Sequence, residues 1–104
     1  MRQSYAKAIP RAWRRTAGMF VALGDAHRQR ILLMFEPGER LNVGQIVAAS
    51  TLSRTAVAHH LKVLRTAGVL QREKIGKEVW YWTDPDTVRA AILSVLEYLD
   101  EQKP

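Results

Sequence analysis

Cysteine is absent from the 104 residues of this chain. Disulfides, thiolate metal ligation and thiol redox sensing are therefore excluded from it. Long apolar runs are missing too, and none approaches the ~18 residues that a membrane span needs. The opening Met1-Arg2-Gln3-Ser4-Tyr5-Ala6-Lys7 lacks the apolar stretch of a secretion signal, so the cytoplasm is the expected location and no membrane partner is expected. There are no repeats, no low-complexity tracts and no internal linker. Catalytic material is sparse: His27, His59 and His60 are the only histidines, and no glycine-rich phosphate loop or nucleophile–base pair accompanies them. Adjacent helical residues point about 100° apart, so His59 and His60 do not form one site. An enzyme is not expected, nor a cofactor.

The remaining composition is that of a folded protein. At 47% hydrophobic and 25% charged residues the chain is close to the globular average. Its length suits one small domain, residues 1–104, with a limited capacity to bury surface. The net charge of +6 favours a polyanionic partner, although charge alone does not separate DNA from RNA or an acidic membrane.

Apolar spacing and capping residues divide the chain into elements. Pro10 suits the first turn of a helix, along which Trp13, Ala17, Phe20, Val21 and Leu23 share a face, predicting an outer helix over 10–23. Asp25 caps a second helix, Ala26 to Phe35, and Glu36–Arg40 is a loop. Asn42 with Gln45 reads as a capping box that opens a short helix through Ala49. After the tight turn Ser50-Thr51-Leu52, Ser53 caps a helix to Ala67 whose Val57, Leu61 and Leu64 face the core, and Gly68 supplies the left-handed residue that ends it. Residues 70–83 read as a hairpin: Leu70–Lys74, a turn at Ile75-Gly76-Lys77, and the β-branched and aromatic arm Glu78–Thr83. Asp84 and Pro85 start a last helix over 85–101 with the stripe Val88, Ile92, Val95, Leu96 and Leu99. The expected fold is mainly α with a small β-hairpin. It is a winged helix-turn-helix of five helices and a two-stranded wing, with the helix-turn-helix at 42–67 and the wing at 70–83.

The helix from Ser53 presents hydrogen-bonding side chains away from its core face. With Val57 inward, Thr55, Ala58, His59, Lys62 and Arg65 point outward and Arg54 lies on the flank near the N-terminal end, the part of a recognition helix that reaches base edges. Arg54 can donate two hydrogen bonds to one guanine, Ala58 can touch a thymine methyl, and Lys62 and Arg65 suit phosphate contacts that position without specifying. At the hairpin, Arg72, Lys74, Gly76 and Lys77 suit phosphate or minor-groove contact. A solvated amphipathic helix and an ordinary exposed turn would carry similar residues; the combined layout favours double-stranded DNA. His60 lies at the edge of the core face, where a structural, hydrogen-bonded histidine is expected, and Trp80, Tyr81 and Trp82 read as packing residues rather than base-stacking ones.

The segment Phe20-Val21-Ala22-Leu23-Gly24-Asp25-Ala26-His27-Arg28-Gln29-Arg30-Ile31-Leu32 is similar to the opening motif of the ArsR/SmtB family of bacterial transcriptional repressors. Ser53 through Leu70 resembles that family's recognition-helix signature, and Gly76 through Tyr81 its wing. The resemblance implies a homodimer joined through its first and last helices, binding an imperfect palindrome near its own promoter, with repression relieved by a small-molecule or protein signal. An independent observation agrees on the dimer. Trp13, Ala17 and Phe20, together with Val88, Ile92, Val95, Leu96 and Leu99, present more apolar surface than so small a domain covers, and a symmetric pair of helices is the simplest cover.

Many members of that family sense metals through cysteines, a route closed here. Others use a last-helix site with the spacing x, x+2, x+13, x+16, which Asp84, Asp86, Glu97 and Asp100 occupy as carboxylates. Without histidine the set would suit only a hard ion, and Asp84 and Asp86 already have helix-capping and dipole roles. No metal site is expected, and the fit is better to members without a known metal site, which answer to organic ligands, to partner proteins or to nothing obvious. Two competing functions remain at this stage: a metal-responsive repressor using those carboxylates, and a winged-helix module that holds a partner protein.

Overall fold

The computed structural model describes every residue, Met1–Pro104. Four short polar side chains start four of its helices. Asp25 accepts from the backbone N–H of Arg28 at 3.1 Å and opens helix α2, Ala26–Leu33. Asn42 accepts from Gln45 N–H while the Gln45 side chain accepts from Asn42 N–H, both at 2.9 Å, a full capping box for helix α3, Val43–Ala49. Ser53 accepts from Ala56 N–H at 3.1 Å and starts helix α4, Arg54–Thr66. Asp84 accepts from Thr87 N–H at 3.3 Å and starts helix α5, Pro85–Glu101, with Pro85 in the first turn. Each cap satisfies a backbone donor that the helix itself leaves unpaired. Helix α1, Arg11–Leu23, has no side-chain cap and begins one residue after Pro10, not at it. Before it, Gln3–Tyr5 form a single 3-10 turn.

Helix α4 ends as its sequence predicts. Gly68 has φ +83°, Val69 N–H reaches back to Leu64 O at 2.9 Å and Gly68 N–H to Arg65 O at 3.0 Å, which closes a Schellman motif. Helix α2 stops at Leu33, two residues short of the expected Phe35, with Met34 as its capping residue.

The wing has its two expected strands, and the sheet gains a third at its base. Leu41–Asn42 form a short strand β1 that pairs antiparallel with β3, Glu78–Thr83, through Leu41 opposite Tyr81 and Asn42 opposite Trp80. Strand β2, Leu70–Ile75, pairs on the other side of β3, and the order is β1-β3-β2. A two-residue strand is too short to show a period of two, and Asn42 serves both as its last residue and as the cap of α3.

The core lies where α1, α2, α3, α4 and the base of the sheet meet. Met19, Ile31, Ile46, Val57, Leu61, Leu64, Val69 and Leu70 are almost wholly buried there. Tyr81 and Ala91 complete it from β3 and α5. On α1 the inward face is Thr16, Met19 and Ala22, whereas Ala17, Phe20 and Val21 face out, Val21 at 66% exposure. The expected face was therefore rotated. Thr16 Oγ1 bonds back to Ala12 O at 3.4 Å, so this polar residue meets its hydrogen-bonding need within the helix and can occupy a core position.

Candidate nucleic-acid interface

Helix α4 stands on three wholly buried residues, Val57, Leu61 and Leu64. Their spacing turns the opposite face outward. Arg54, Thr55, Ala58, His59 and Lys62 are all exposed there, and Ser53 is exposed while its hydroxyl is engaged as the cap. A helix N-terminus with free N–H groups and an arginine beside it is well suited to approach an anionic groove. Arg65 differs from the rest of this set. It is half-buried and its Nε is enclosed without a partner, so its stem lies against the protein and only the end of its guanidinium can reach outward.

The wing departs from the core at once: Leu70 is buried and every later residue of β2 is exposed. Register sorts its side chains. Arg72 lies opposite Tyr81 and Lys74 opposite Val79, so these two cations share the face on which Tyr81 and Val79 pack towards the core. Glu73 points to the other face, where it accepts from Arg40 at 3.1 Å; the Arg40 guanidinium also lies 4.0 Å from the centre of the Trp82 ring. That side of the wing is thereby neutralised and covered. The tip is the two-residue loop Gly76-Lys77, narrower than the expected turn because Ile75 belongs to the strand. Gly76 has φ +63° at the first loop position, the requirement of a II′ turn. Lys77 is exposed at the tip.

The aromatic residues of β3 are packing residues. Tyr81 is buried, and Trp80 and Trp82 are half-buried, the latter under Arg40. His60 is also where its position on α4 places it, half-buried with Nδ1 at 3.3 Å from a guanidinium nitrogen of Arg28. Its ring stacks on His27 at 5.8 Å and lies 5.6 Å from that of His59. Burial pushes its pKa below the ordinary histidine value. Arg28 has no spacing signal that a helical wheel would reveal; only its place in the motif after Asp25 marks it.

The carboxylates of α5 are not brought together within the chain. Asp84 and Asp86 sit at one end of the helix, Glu97 and Asp100 at the other, and 86 and 97 are about 16 Å apart along its axis. Asp84 is committed locally: it accepts from Thr87 Oγ1 at 2.9 Å and from the Gln71 amide at 3.0 Å. Those hydrogen bonds hold its pKa below the usual carboxylate value. Asp100 pairs with Lys103 at 3.7 Å. No group of three or more histidine or carboxylate side chains is arranged so that it could hold a metal ion.

The expected dimer residues divide into two groups. Phe20, Ile92, Leu96 and Leu99 are 41–51% exposed, Ala17 is exposed, and Leu93 and Tyr98 join this surface without having been expected. Trp13, Val88 and Val95 are half-buried in the chain itself, Trp13 standing edge-on to Tyr98 at 5.7 Å. Leu32, Val69, Val88, Ile92, Leu93 and Leu96 line an open groove of about 630 Å³ along α5.

The family model for bacterial regulatory proteins of the arsR family matches residues 25–72, from the cap of α2 into the wing. The transcriptional repressor SdpR of Bacillus subtilis is 24% identical over 83 residues, 80% of this chain and 91% of its own. A transcriptional repressor described as an SmtB homolog, from Synechocystis, is 31% identical over 85 residues, 82% of this chain and 64% of its own. Among solved structures, an ArsR-like transcriptional regulator from Rhodococcus superposes with a TM-score of 0.78 at 24% identity, covering 86% of this chain and 83% of that one. NolR from Sinorhizobium fredii superposes with a TM-score of 0.67 at 22% identity, covering 95% of this chain and 92% of that one. No helix here is long and apolar enough to cross a membrane. With a capped recognition helix beside a wing, the chain is a winged helix-turn-helix, DNA-binding transcriptional regulator, similar to the bacterial regulatory proteins of the arsR family.

Proposed function

We propose that the protein is a homodimeric repressor that reads a palindromic operator, one copy of helix α4 entering each half-site, and that it acts in the cytoplasm on its own promoter. The observation that carries the dimer is the run of exposed apolar side chains on α1 and α5, from Phe20 to Leu99, beside the open groove along α5. A two-fold axis through that surface would cover both copies at once and set two recognition helices for successive turns of one duplex. In this arrangement Arg54, Thr55, Ala58 and His59 read base edges, Ser53 and Lys62 hold the backbone with the outer end of Arg65, and Arg72, Lys74, Gly76 and Lys77 follow the neighbouring phosphates.

Selection of tight-binding duplexes from a random pool tests this reading directly. A two-fold symmetric consensus is expected, and a consensus with a single half-site, or none, contradicts it. On the selected duplex Arg54→Ala relaxes base preference at one position per half-site, costing about 1–3 kcal/mol there. Lys77→Ala weakens all sequences alike and lowers the salt slope by up to about one unit. Titration of both variants by fluorescence anisotropy at two salt concentrations separates the two effects; if neither changes binding by a folded protein, the groove assignment fails.

A further inference from the structure

Arg28 is not among the DNA-facing residues, yet its guanidinium joins three helices. Nε donates to the carbonyl of Ala22 at 2.7 Å and Nη2 to that of Val21 at 3.0 Å, both in the last turn of α1. Nη1 lies 3.3 Å from Nδ1 of His60, in the middle of α4. The backbone of Arg28 is held in turn by the Asp25 cap of α2. A guanidinium only donates, so the contact with His60 exists only while Nδ1 is an unprotonated acceptor and the ring proton is on Nε2.

We propose that Arg28 is a positioning residue for DNA reading: through neutral His60 it fixes the recognition helix against the end of α1, and protonation of His60 releases that helix and weakens DNA binding. This rests on the DNA-reading function above. When His60 takes a second proton both ring nitrogens become donors, the acceptor for Arg28 is lost, and two like charges face each other. The groups around His60 are few. Helix α2 turns Arg28 and His27 towards it and has Asp25 at its cap, α4 itself contributes His59, and the adjoining end of α1 offers only backbone carbonyls already taken by Arg28. Burial, Arg28 and the two histidines favour the neutral ring, and Asp25 alone opposes them. His60 follows His59 directly and lies five residues, about one and a half turns, from Thr55, so a tilt of α4 about this contact moves the base-reading side chains in the groove.

The test is the pH dependence of DNA affinity on the selected duplex, measured by anisotropy in a His59→Gln background. That background removes the gain which the positive charge of a protonated His59 would bring against the polyanionic duplex. Affinity is expected to fall about three- to tenfold as the pH drops from about 7.5 to about 5, below the ordinary histidine value. In the double variant His59→Gln/His60→Asn, where Oδ1 of asparagine stands in for Nδ1 as an acceptor that does not titrate, affinity near neutral pH is expected to stay and the fall to vanish. Arg28→Lys is expected to lower affinity near neutral pH and flatten the profile, with unfolding curves confirming a folded protein. Histidine ¹⁵N shifts in the free protein read the same contact without DNA and are expected to show Nδ1 as the unprotonated nitrogen of His60. A pH profile that is the same with and without His60, or Nδ1 protonated in neutral His60, overturns the proposal and leaves the DNA-reading function standing. Absence of sequence-selective binding by the wild type at every pH overturns both.

Discussion

At the scale of single residues, two glycines separate backbone strain from crowding. Gly68 and Gly76 both have positive φ, +83° and +63°, but a Cβ at Gly68 would come within 3.0 Å of Thr87 Cγ2 whereas one at Gly76 meets nothing. Gly76→Ala therefore loses only conformational preference, about 1 kcal/mol, and Gly68→Ala loses that plus the displacement of α5 at Thr87. Urea midpoints should rank the wild type above Gly76→Ala and Gly76→Ala above Gly68→Ala; equal midpoints for the two variants would show that Thr87 yields freely. Asp84 gives a pH dependence with a definite sign. Hydrogen bonds from Thr87 and Gln71 stabilise its carboxylate and lower its folded pKa below 3.8. Its contribution is thus complete above the unfolded value and is lost as pH falls from about 3.8 through the folded pKa. Between about pH 6 and pH 3 the wild type should lose more stability than Asp84→Asn, as read by urea unfolding at each pH.

At the scale of elements, capping carried most of the information. Asp25, Asn42, Ser53 and Asp84 mark four helix starts in the sequence, and the structure places a cap at each. Gly68 marks the end of α4 in the same way. Asn42 is the most consequential of these caps because it also pairs with Trp80 in the sheet. Asn42→Ala should cost about 1 kcal/mol from the cap, by thermal unfolding. It should cost DNA affinity little if α3 only supports α4; a large loss of affinity without a loss of stability would give α3 a direct part in binding. Features that depend on distant partners were less legible. Strand β1 has two residues and exists because β3 runs beside it. Periodicity gave α1 an apolar face but not which edge of it meets the core, because Thr16 counts as polar until its hydroxyl is seen to bond within the helix. The outward set on α4 was legible because Val57, Leu61 and Leu64 leave only one way to turn the helix. Arg65 was misjudged in degree, since a long stem can lie half-buried along the surface from an outward position. Arg28 was unreadable as a contact, because Val21, Ala22 and His60 come to it from two other helices.

At the scale of the whole molecule, the ends of the chain and its middle divide the work. The middle, from β1 to β3, presents α4 and the wing on a core that it shares with α1 and α2. The first and last helices pack on each other and leave Phe20, Ile92, Leu93, Leu96 and Leu99 facing solvent. An exposed apolar surface of this kind marks an interaction site. Leu96→Glu should leave a folded chain, because this side chain is half exposed within it, and should give a monomer in sedimentation equilibrium. DNA affinity should then fall by about a hundredfold or more, since two linked half-site contacts become one. A Leu96→Glu protein that remains a dimer would remove α5 from the proposed interface.

The three tryptophans are distributed along the same division. Trp13 stands edge-on to Tyr98 at the outer helices, whereas Trp80 and Trp82 lie in the wing, Trp82 beneath Arg40. The chain therefore carries its own optical labels at both ends of the event it performs. With Trp13 replaced by phenylalanine, emission reports from the wing alone; with Trp80 and Trp82 replaced, it reports from the outer helices alone. An arriving duplex and the second subunit of the proposed dimer can then be timed separately, in one cuvette, without an attached dye.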